Sequence, residues 1–381
     1  MLSAFKAGRG KQAEENRELD DLYTSSQWKL IVIRFRKHKP AVVSLFVLAV
    51  CYLLALLAPF FAVHDPNEKN ADYREAPPQG IHFVNHSGKF SLFPVIYPYR
   101  KAMNTETFEV EFSEIVEEET RLVPFAKGFE YRLFGLTLDR HFFGPERPGV
   151  PFHLLGCDRL GRDLYSRILY GSRISLSIGL FGVAISFFLG ILIGGIAGYL
   201  GGFVDNIVQR AIEILLSIPQ LPLWMALSAA LPRDWSQLQN YLLITIILSI
   251  IGWTGLARIV RGRFLSLRTE DFVTAAELMG RNNLQIIFIH MLPSFYSYII
   301  ASLTLSIPGM ILGETALSFL GLGLQAPTIS WGVLLRDAQN VYAIAITPWI
   351  LLPCVCVIIV VLAFNLLGDG IRDAADPYGS R

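Results

Sequence analysis

Asp271–Pro293 reads DFVTAAELMGRNNLQIIFIHMLP, and it is the most informative stretch of the chain. Small residues (Thr274, Ala275, Ala276) sit in a helical run. Gly280 follows where a helix would need a left-handed cap. A second helical run then ends before Pro293. Small residues before the cap let another surface come close. A short helix–turn–helix of this kind, carrying charge between two apolar segments, is either a handle for a soluble partner or an ordinary connecting loop. The residues leave those two readings open.

The segments around it are apolar enough to cross a membrane. Hydrophobic residues make up 52% of the 381, and charged ones 17%, which is too apolar for an ordinary soluble domain. A helix needs roughly 20 apolar residues to cross the hydrocarbon. The first candidate is residues 41–63, with Lys29, Arg34, Arg36, Lys37 and Lys39 before it and an acidic, polar flank after it. The positive-inside rule then places the N-terminus in the cytoplasm. Residues 28–37 mix bases with Trp, Leu, Ile, Val and Phe. They read as an interfacial elbow helix or as a plain basic flank. No cleavable leader is expected, because the first apolar run begins too late.

Further spans are expected at about 174–199, 207–231 (broken by Pro219 and Pro222), 241–259, 293–319 and 348–367. The fourth returns the chain to the cytoplasm, so Arg258, Arg261, Arg263, Arg268 and Arg281 fall where the charge rule requires. A short outer loop, 321–347, follows the fifth span. The expectation is six spans with both ends inside: residues 1–40 a cytoplasmic tail and elbow, 41–63 the first span, 64–170 an external segment, 171–370 the remaining spans with their 260–293 loop, and 371–381 a cytoplasmic tail. The external segment is polar and Pro-rich, with Phe90, Phe93, Tyr97 and Tyr99 suggesting a folded cap. Short strands and irregular coil are both open for it. Asp158–Tyr170 has apolar positions at helical spacing and reads as a helix lying along the outer interface.

Gly182, Ser186, Gly190, Gly194, Gly198 and Gly202 fall every fourth residue. On a helix they form one small-residue stripe, which lets a second helix approach closely; a pore-lining role is the weaker reading. Glu213 and Glu314 are ionisable residues in apolar runs. Arg210, three residues before Glu213, points to a local ion pair. Glu314 either meets a substrate ammonium in the pathway or holds a structural hydrogen-bond network.

Several chemistries are excluded or left without support. Net charge is +1, so no global field points at nucleic acid. Cys51, Cys157, Cys354 and Cys356 lack metal-ligand spacing with histidine. Ser87-Gly88-Lys89-Phe90 lacks the glycine spacing and hydroxyl residue of a phosphate loop, and neither a zinc-protease His pair nor a Gly-x-Ser-x-Gly elbow is present. The driving energy must come from a gradient or another subunit. A self-sufficient secondary transporter would show paired, inverted halves, and none are evident.

Asp271–Pro293 resembles the coupling loop of ABC-importer permeases: Glu-Ala-Ala, three residues, Gly, nine residues, Ile-x-Leu-Pro. Ala275, Ala276, Gly280, Leu292 and Pro293 are in register, while Thr274 stands for the Glu and His290 for the Ile. HLLGCDRLGRDLYSRILYGSRISLSIGL (153–180), LSFLGLGLQAPTISW (317–331) and NLLGDGIRDAADP (365–377) narrow the resemblance to the dipeptide/oligopeptide permeases, second (C-type) subunit. Cys157 stands where that family usually has Thr, and a free outer thiol would be reactive if its pKa were lowered. The resemblance implies an all-α membrane protein with the type I ABC importer permease fold, six transmembrane helices and a long external insertion between the first two. It implies a non-catalytic subunit in a bacterial inner membrane, without a cofactor of its own. Its partners would be a homologous second permease, two ATPases that bind the ATP, an external substrate-binding protein and the bilayer. Thr274, Ala275, Ala276, Gly280 and Pro293 would form the ATPase-coupling surface. The cargo would be peptide, with nickel, glutathione, opines or antimicrobial peptides as family alternatives.

Overall fold

The computed structural model describes residues 27–103, 105, 110–232 and 235–375. The terminal parts of the expected tails, 1–26 and 376–381, with Pro377 of the last motif, lie outside them.

Two helices open the chain, α1 (Gln27–Lys37) and α2 (Lys39–Leu56). His38 separates them, and its Nδ1 accepts the Ala41 N–H at 3.2 Å, which caps α2. A short turn of helix, Ala58–Phe61, ends this first apolar segment. Next come α3 (Leu164–Leu200), α4 (Gly202–Ser217), α5 (Gln220–Ala229), α6 (Gln237–Leu267), α7 (Asp271–Leu278), α8 (Tyr296–Phe319) and α9 (Leu352–Ala375). Among the described residues, five stretches are long and apolar enough to cross a membrane, and the α4–α5 pair, bent by 86° at residues 218–219, makes a sixth if it counts as one span. The bend falls where Pro219 removes a backbone donor.

The all-α expectation fails between α2 and α3. Residues 82–145 hold eight strands: β1 (His82–Val84), β2 (Phe90–Ile96), β3 (Tyr99–Met103), β4 (Val110–Glu114), β5 (Thr120–Pro124), β6 (Lys127–Leu133), β7 (Leu136–Arg140) and β8 (Phe143–Pro145). They form a four-stranded sheet ordered β1-β2-β5-β8 and two hairpins, β3-β4 and β6-β7. These runs are rich in aromatic and β-branched residues, which suit a half-buried pleated surface. Among the described residues of this region few apolar side chains are well buried, namely Val95, Ile96, Tyr97, Leu122, Ala126 and Tyr131, so the alternation in sequence is too faint to separate strand from coil.

Helix limits move as well. Asp158–Tyr170 is not a separate interfacial helix. Asp163 caps α3 by accepting the Ser166 N–H at 2.7 Å, so the second span starts at Leu164 instead of near 174 and runs on without a break. Gly202 leaves the small-residue stripe, because Gly201 and Gly202 both take positive φ and start α4. The last apolar helix continues to Ala375, past the expected span end near 367 and the 370 boundary. The loop 321–347 carries two short helices, Trp331–Leu335 and Val341–Ile346.

The stripe on α3 lies against α6. A Cβ at Gly190 would sit 3.0 Å from Leu256 Cβ, at Gly194 2.4 Å from the Ala257 carbonyl oxygen, and at Gly198 2.7 Å from the Arg261 carbonyl oxygen. Ser186 Oγ donates to the Ser249 carbonyl at 3.2 Å, and Ser249 Oγ donates to the Gly182 carbonyl at 3.0 Å. Two backbones at this distance exclude lipid between them and gain dispersion along the whole length.

The β unit is tied to α3 by a buried polar knot. Ser166 Oγ accepts the Val63 and His64 N–H groups, both at 3.1 Å. His153 Nδ1 meets Asp163 Oδ1 at 3.0 Å, and the His64 and His153 rings stand 4.8 Å apart. Burial holds the His64 imidazole below its ordinary range, against the opposing pull of Asp163. Burial alone would raise the Asp163 carboxyl, but hydrogen bonding and charge from His153 outweigh it and hold it low. The folded protein therefore prefers neutral His64, while the unfolded chain takes up a proton near pH 6.5. Stability from this group is full above about pH 6.5 and is lost as the pH falls below it; Asp163 adds an acid loss only below about pH 4. Thermal unfolding of the purified protein should drop between pH 7 and 5, and H64Q should flatten that drop.

Candidate functional site

The segment from α7 to α8 is built to present one face and bury the other. Asp271 in the first turn of α7 suits the helix dipole, and Ala275 to Leu278 are strong helix formers. The helix stops at Gly280, whose φ is +73°. The Gly280 N–H donates to the Glu277 carbonyl at 2.9 Å, and the Arg281 N–H donates to Ala276 at 3.2 Å. This is the paired cap that a left-handed residue makes possible. Asn282 starts the next turn with a reciprocal cap: Gln285 N–H donates to Asn282 Oδ1 at 2.8 Å, and Asn282 N–H to Gln285 Oε1 at 3.3 Å. Ile286–Met291 follows as a wide π-turn, and Leu292–Phe295, with Pro293, leads into α8.

Val273, Ala276, Ile286, Ile287 and Met291 turn inward and share one apolar core with Phe264 of α6. Gly195 of α3 leaves room for Ile287, whose Cγ2 would lie 3.1 Å from a Cβ there. Tyr199, near the end of α3, donates its hydroxyl to Glu277 Oε1 at 2.7 Å. The opposite face is open: Leu278 is 85% exposed and Met279 66%, with Phe272 and Leu284 beside them. Thr274 and Ala275 are exposed on it too, and nothing lies within 4 Å of where a Gly280 Cβ would point. Ala276 is 0% exposed, which corrects its place in the coupling surface: it fills the protein's own core and cannot touch a partner. Pro293 is exposed but sits at the foot of α8, beyond the Asn283–Gln285 turn and the π-turn that follow Gly280.

Glu314 is enclosed, 0% exposed, on α8. Ser318 and Ser330 donate to its Oε1 at 2.8 and 2.7 Å, and Ser175 to its Oε2 at 3.3 Å. Each serine oxygen in turn accepts a backbone N–H: Leu324 at Ser318, Val333 at Ser330 and Trp331 at Ser175. One carboxylate thus organises the 321–333 loop between α3 and α8, which is the structural reading of this residue. Replacing it with alanine orphans three buried hydroxyls, at about 1–3 kcal/mol each. E314A should lower the melting temperature well below that of E314Q, which keeps one acceptor. Uptake by E314Q should be unchanged for every peptide length that the wild type carries.

Other expectations resolve in place. Arg210 Nη1 meets Glu213 Oε2 at 2.7 Å on an exposed face. Cys157 is buried and its thiol is pushed up by burial, so it is not a reactive outer thiol. Sequence reading missed the bidentate Arg261–Asp205 pair between α6 and α4. A lone Asp three residues past the Gly201-Gly202 pair was its only signal. It also missed Asp158, which accepts Arg162 Nε at 2.7 Å and lies 3.6 Å from Arg167 Nε.

Residues 190–378 match the model of the binding-protein-dependent transport system inner membrane component, and 26–78 match the N-terminal TM domain of oligopeptide transport permease C. The chain is 30% identical to the dipeptide transport system permease protein DppC of Bacillus subtilis, covering 96% of this chain and 90% of that one. The chain belongs to this permease family. It is also 42% identical to the oligopeptide permease OppC of Haemophilus influenzae, over 59% of this chain and 70% of that one. With the glutathione transport system permease GsiD of Pectobacterium atrosepticum it shares 40%, over 59% and 72%. The protein is thus a multi-pass inner membrane permease subunit of an ABC importer. ATPase and binding-protein partners follow from the family, and the transport energy enters through them. Most of the β unit lies between the two matched regions.

Proposed function

We propose that this permease is the C-type subunit of a type I importer carrying di- and oligopeptides across the cytoplasmic membrane. It pairs with a homologous permease around a central pathway. Two ATPase subunits bind the ATP, and an external binding protein delivers the peptide. The chain crosses six times, the α4–α5 pair serving as one broken span, with both termini in the cytoplasm and the β unit outside. The chain itself needs no cofactor or metal.

The observation that carries this reading is the split character of the α7 segment. Its inner face is continuous with the transmembrane core, and its outer face, Thr274, Ala275, Leu278, Met279 and Gly280, is open and apolar. ATP-driven closure of the ATPases pushes that face, and the buried face passes the displacement to α3, α6 and α8. Peptide cargo is supported by the names of the dipeptide and oligopeptide relatives. The glutathione relative favours a second cargo, itself a short peptide.

A tagged chain purified from its own membrane in mild detergent should bring down one sister permease and ATPase subunits in a 1:1:2 ratio. A chain that purifies alone and still moves peptide would overturn the proposal. Competition of labelled tripeptide uptake by glutathione separates the two cargo readings.

A further inference from the structure

The β6-β7 hairpin presents an apolar face whose outer half none of the described residues covers. Its register pairs Tyr131 with Leu138 and Leu133 with Leu136, which puts these four on one side of the ribbon; Arg132 and Thr137 pair on the other. Tyr131 is buried against the protein, but Leu136 is 66% exposed, Leu138 is exposed beside it, and Phe134 at the tip is 74% exposed. Phe134 and Gly135 both take positive φ, +50° and +84°, as a tight two-residue hairpin turn requires. That backbone suits Asn or Gly; a bulky aromatic there is an outlier, and an aromatic that is both strained and bare points to a use outside the chain.

The base of the hairpin shows where that use lies. His141 Nδ1 hydrogen-bonds to the Pro59 carbonyl at 3.1 Å and its Nε2 to Phe129 at 3.0 Å. The Phe142 N–H donates to the Phe60 carbonyl at 2.8 Å. Pro59 and Phe60 belong to the last turn of the first span. Phe60, Phe61, Phe125 and Phe142 form one aromatic cluster, with ring centroids 5.1–6.2 Å apart. Phe125 and Phe142 remain exposed, as do Phe46, Leu53 and Leu56 along the outward face of α2. Exposed apolar side chains thus occur along the first span, in the cluster of phenylalanines at its end and on the hairpin that this cluster anchors. Aromatic rings collect where a span leaves the hydrocarbon, and an exposed arginine on the opposite ribbon face suits lipid phosphate.

We propose that the β6-β7 hairpin dips into the bilayer, with Phe134, Leu136 and Leu138 at the headgroup–acyl boundary beside the first span. The β unit then rests on the membrane at two places, the end of α2 and the hairpin tip. The occupant of the face is lipid, not a second protein.

The test uses the assembled transporter in lipid nanodiscs. Phe134→Cys and Leu136→Cys are introduced separately, with Cys51, Cys157, Cys354 and Cys356 replaced by alanine, and are labelled with bimane. Ser87→Cys, on the β1-β2 turn, is the solvent control. Retained ATPase stimulation by binding protein qualifies each variant. Lipids brominated near the head of the acyl chain should quench positions 134 and 136 and leave 87 bright. Aqueous iodide should do the reverse. Iodide quenching at 134 and 136 would show a solvated hairpin and overturn the proposal. Quenching by neither would show a covering protein, and would overturn it equally. If the cysteine-free background does not assemble, Phe134→Trp read by the change in brominated-lipid quenching against wild type decides the same question.

Discussion

Replacing Gly194 with valine is expected to leave no stably folded permease in the membrane. The smallest side chain already places Cβ 2.4 Å from the Ala257 carbonyl oxygen and 2.7 Å from its Cα. Both are backbone atoms, so neither can swing aside as a rotamer would. The helices α3 and α6 must separate, and the contacts at Gly190 and Gly198 open with them. Overpacking of an ordinary core costs about 1–3 kcal/mol; here the strain is shared along the longest helix pair in the chain, so the loss should exceed that range. Fluorescence-detected size exclusion of a tagged variant measures it directly: the G194V peak should be absent or aggregated. Gly255 on α6 is the internal control, since nothing lies within 4 Å of its Cβ position. G255A should run like wild type and melt at the same temperature or slightly higher, because alanine is the better helix former.

G280E is expected to give the opposite combination, a folded permease without ATP-coupled transport. No neighbour obstructs a side chain at 280, and the left-handed backbone costs a non-glycine residue roughly 1–2 kcal/mol, confined to a surface turn. The carboxylate, however, lands beside Leu278 and Met279. An ATPase docking there must bury it unpaired, which costs on the order of 2–5 kcal/mol, more than tenfold in affinity. Uptake should fall to background while the amount of variant in the membrane stays near wild type. G280N is the matching control: asparagine tolerates the same backbone and carries no charge, so it should keep most of the uptake. Normal uptake by G280E would remove Gly280 from the coupling surface.

These two glycines also mark what the sequence could and could not disclose. The stripe on α3 and the cap at Gly280 were legible because helix geometry fixes them: a four-residue spacing has one face, and a glycine after a helical run has one conformational purpose. The spans were legible from length and hydropathy, but their ends were not, since a polar cap such as Asp163 can extend a helix well past its apolar stretch. Strands between Lys69 and Pro151 were not legible, because few strand residues are buried and the alternation is correspondingly weak. At the α7 segment the motif named residues but not which way each one faces. Ala276 belongs to the core, and the bare Leu278 and Met279 follow only from seeing which side of α7 turns inward. Glu314 was undecidable by composition. The three serines that enclose it come from 139 residues upstream, 4 downstream and 16 downstream, and only the second of these is fixed by helix geometry alone.

One helix connects everything described above. At its first turn, α3 is fastened to the β unit through Asp163, Ser166 and the His64–His153 knot. At its last turn, Tyr199 is fastened to Glu277 of α7. At 1.5 Å per residue its 37 residues make a strut of about 55 Å, with no proline along its length. An unbroken helix without a proline lacks the commonest site of a kink. If α7 is where the ATPases push, as proposed, the β unit is expected to shift with it, and whatever docks on that side would feel the nucleotide cycle on the other as a change in footing.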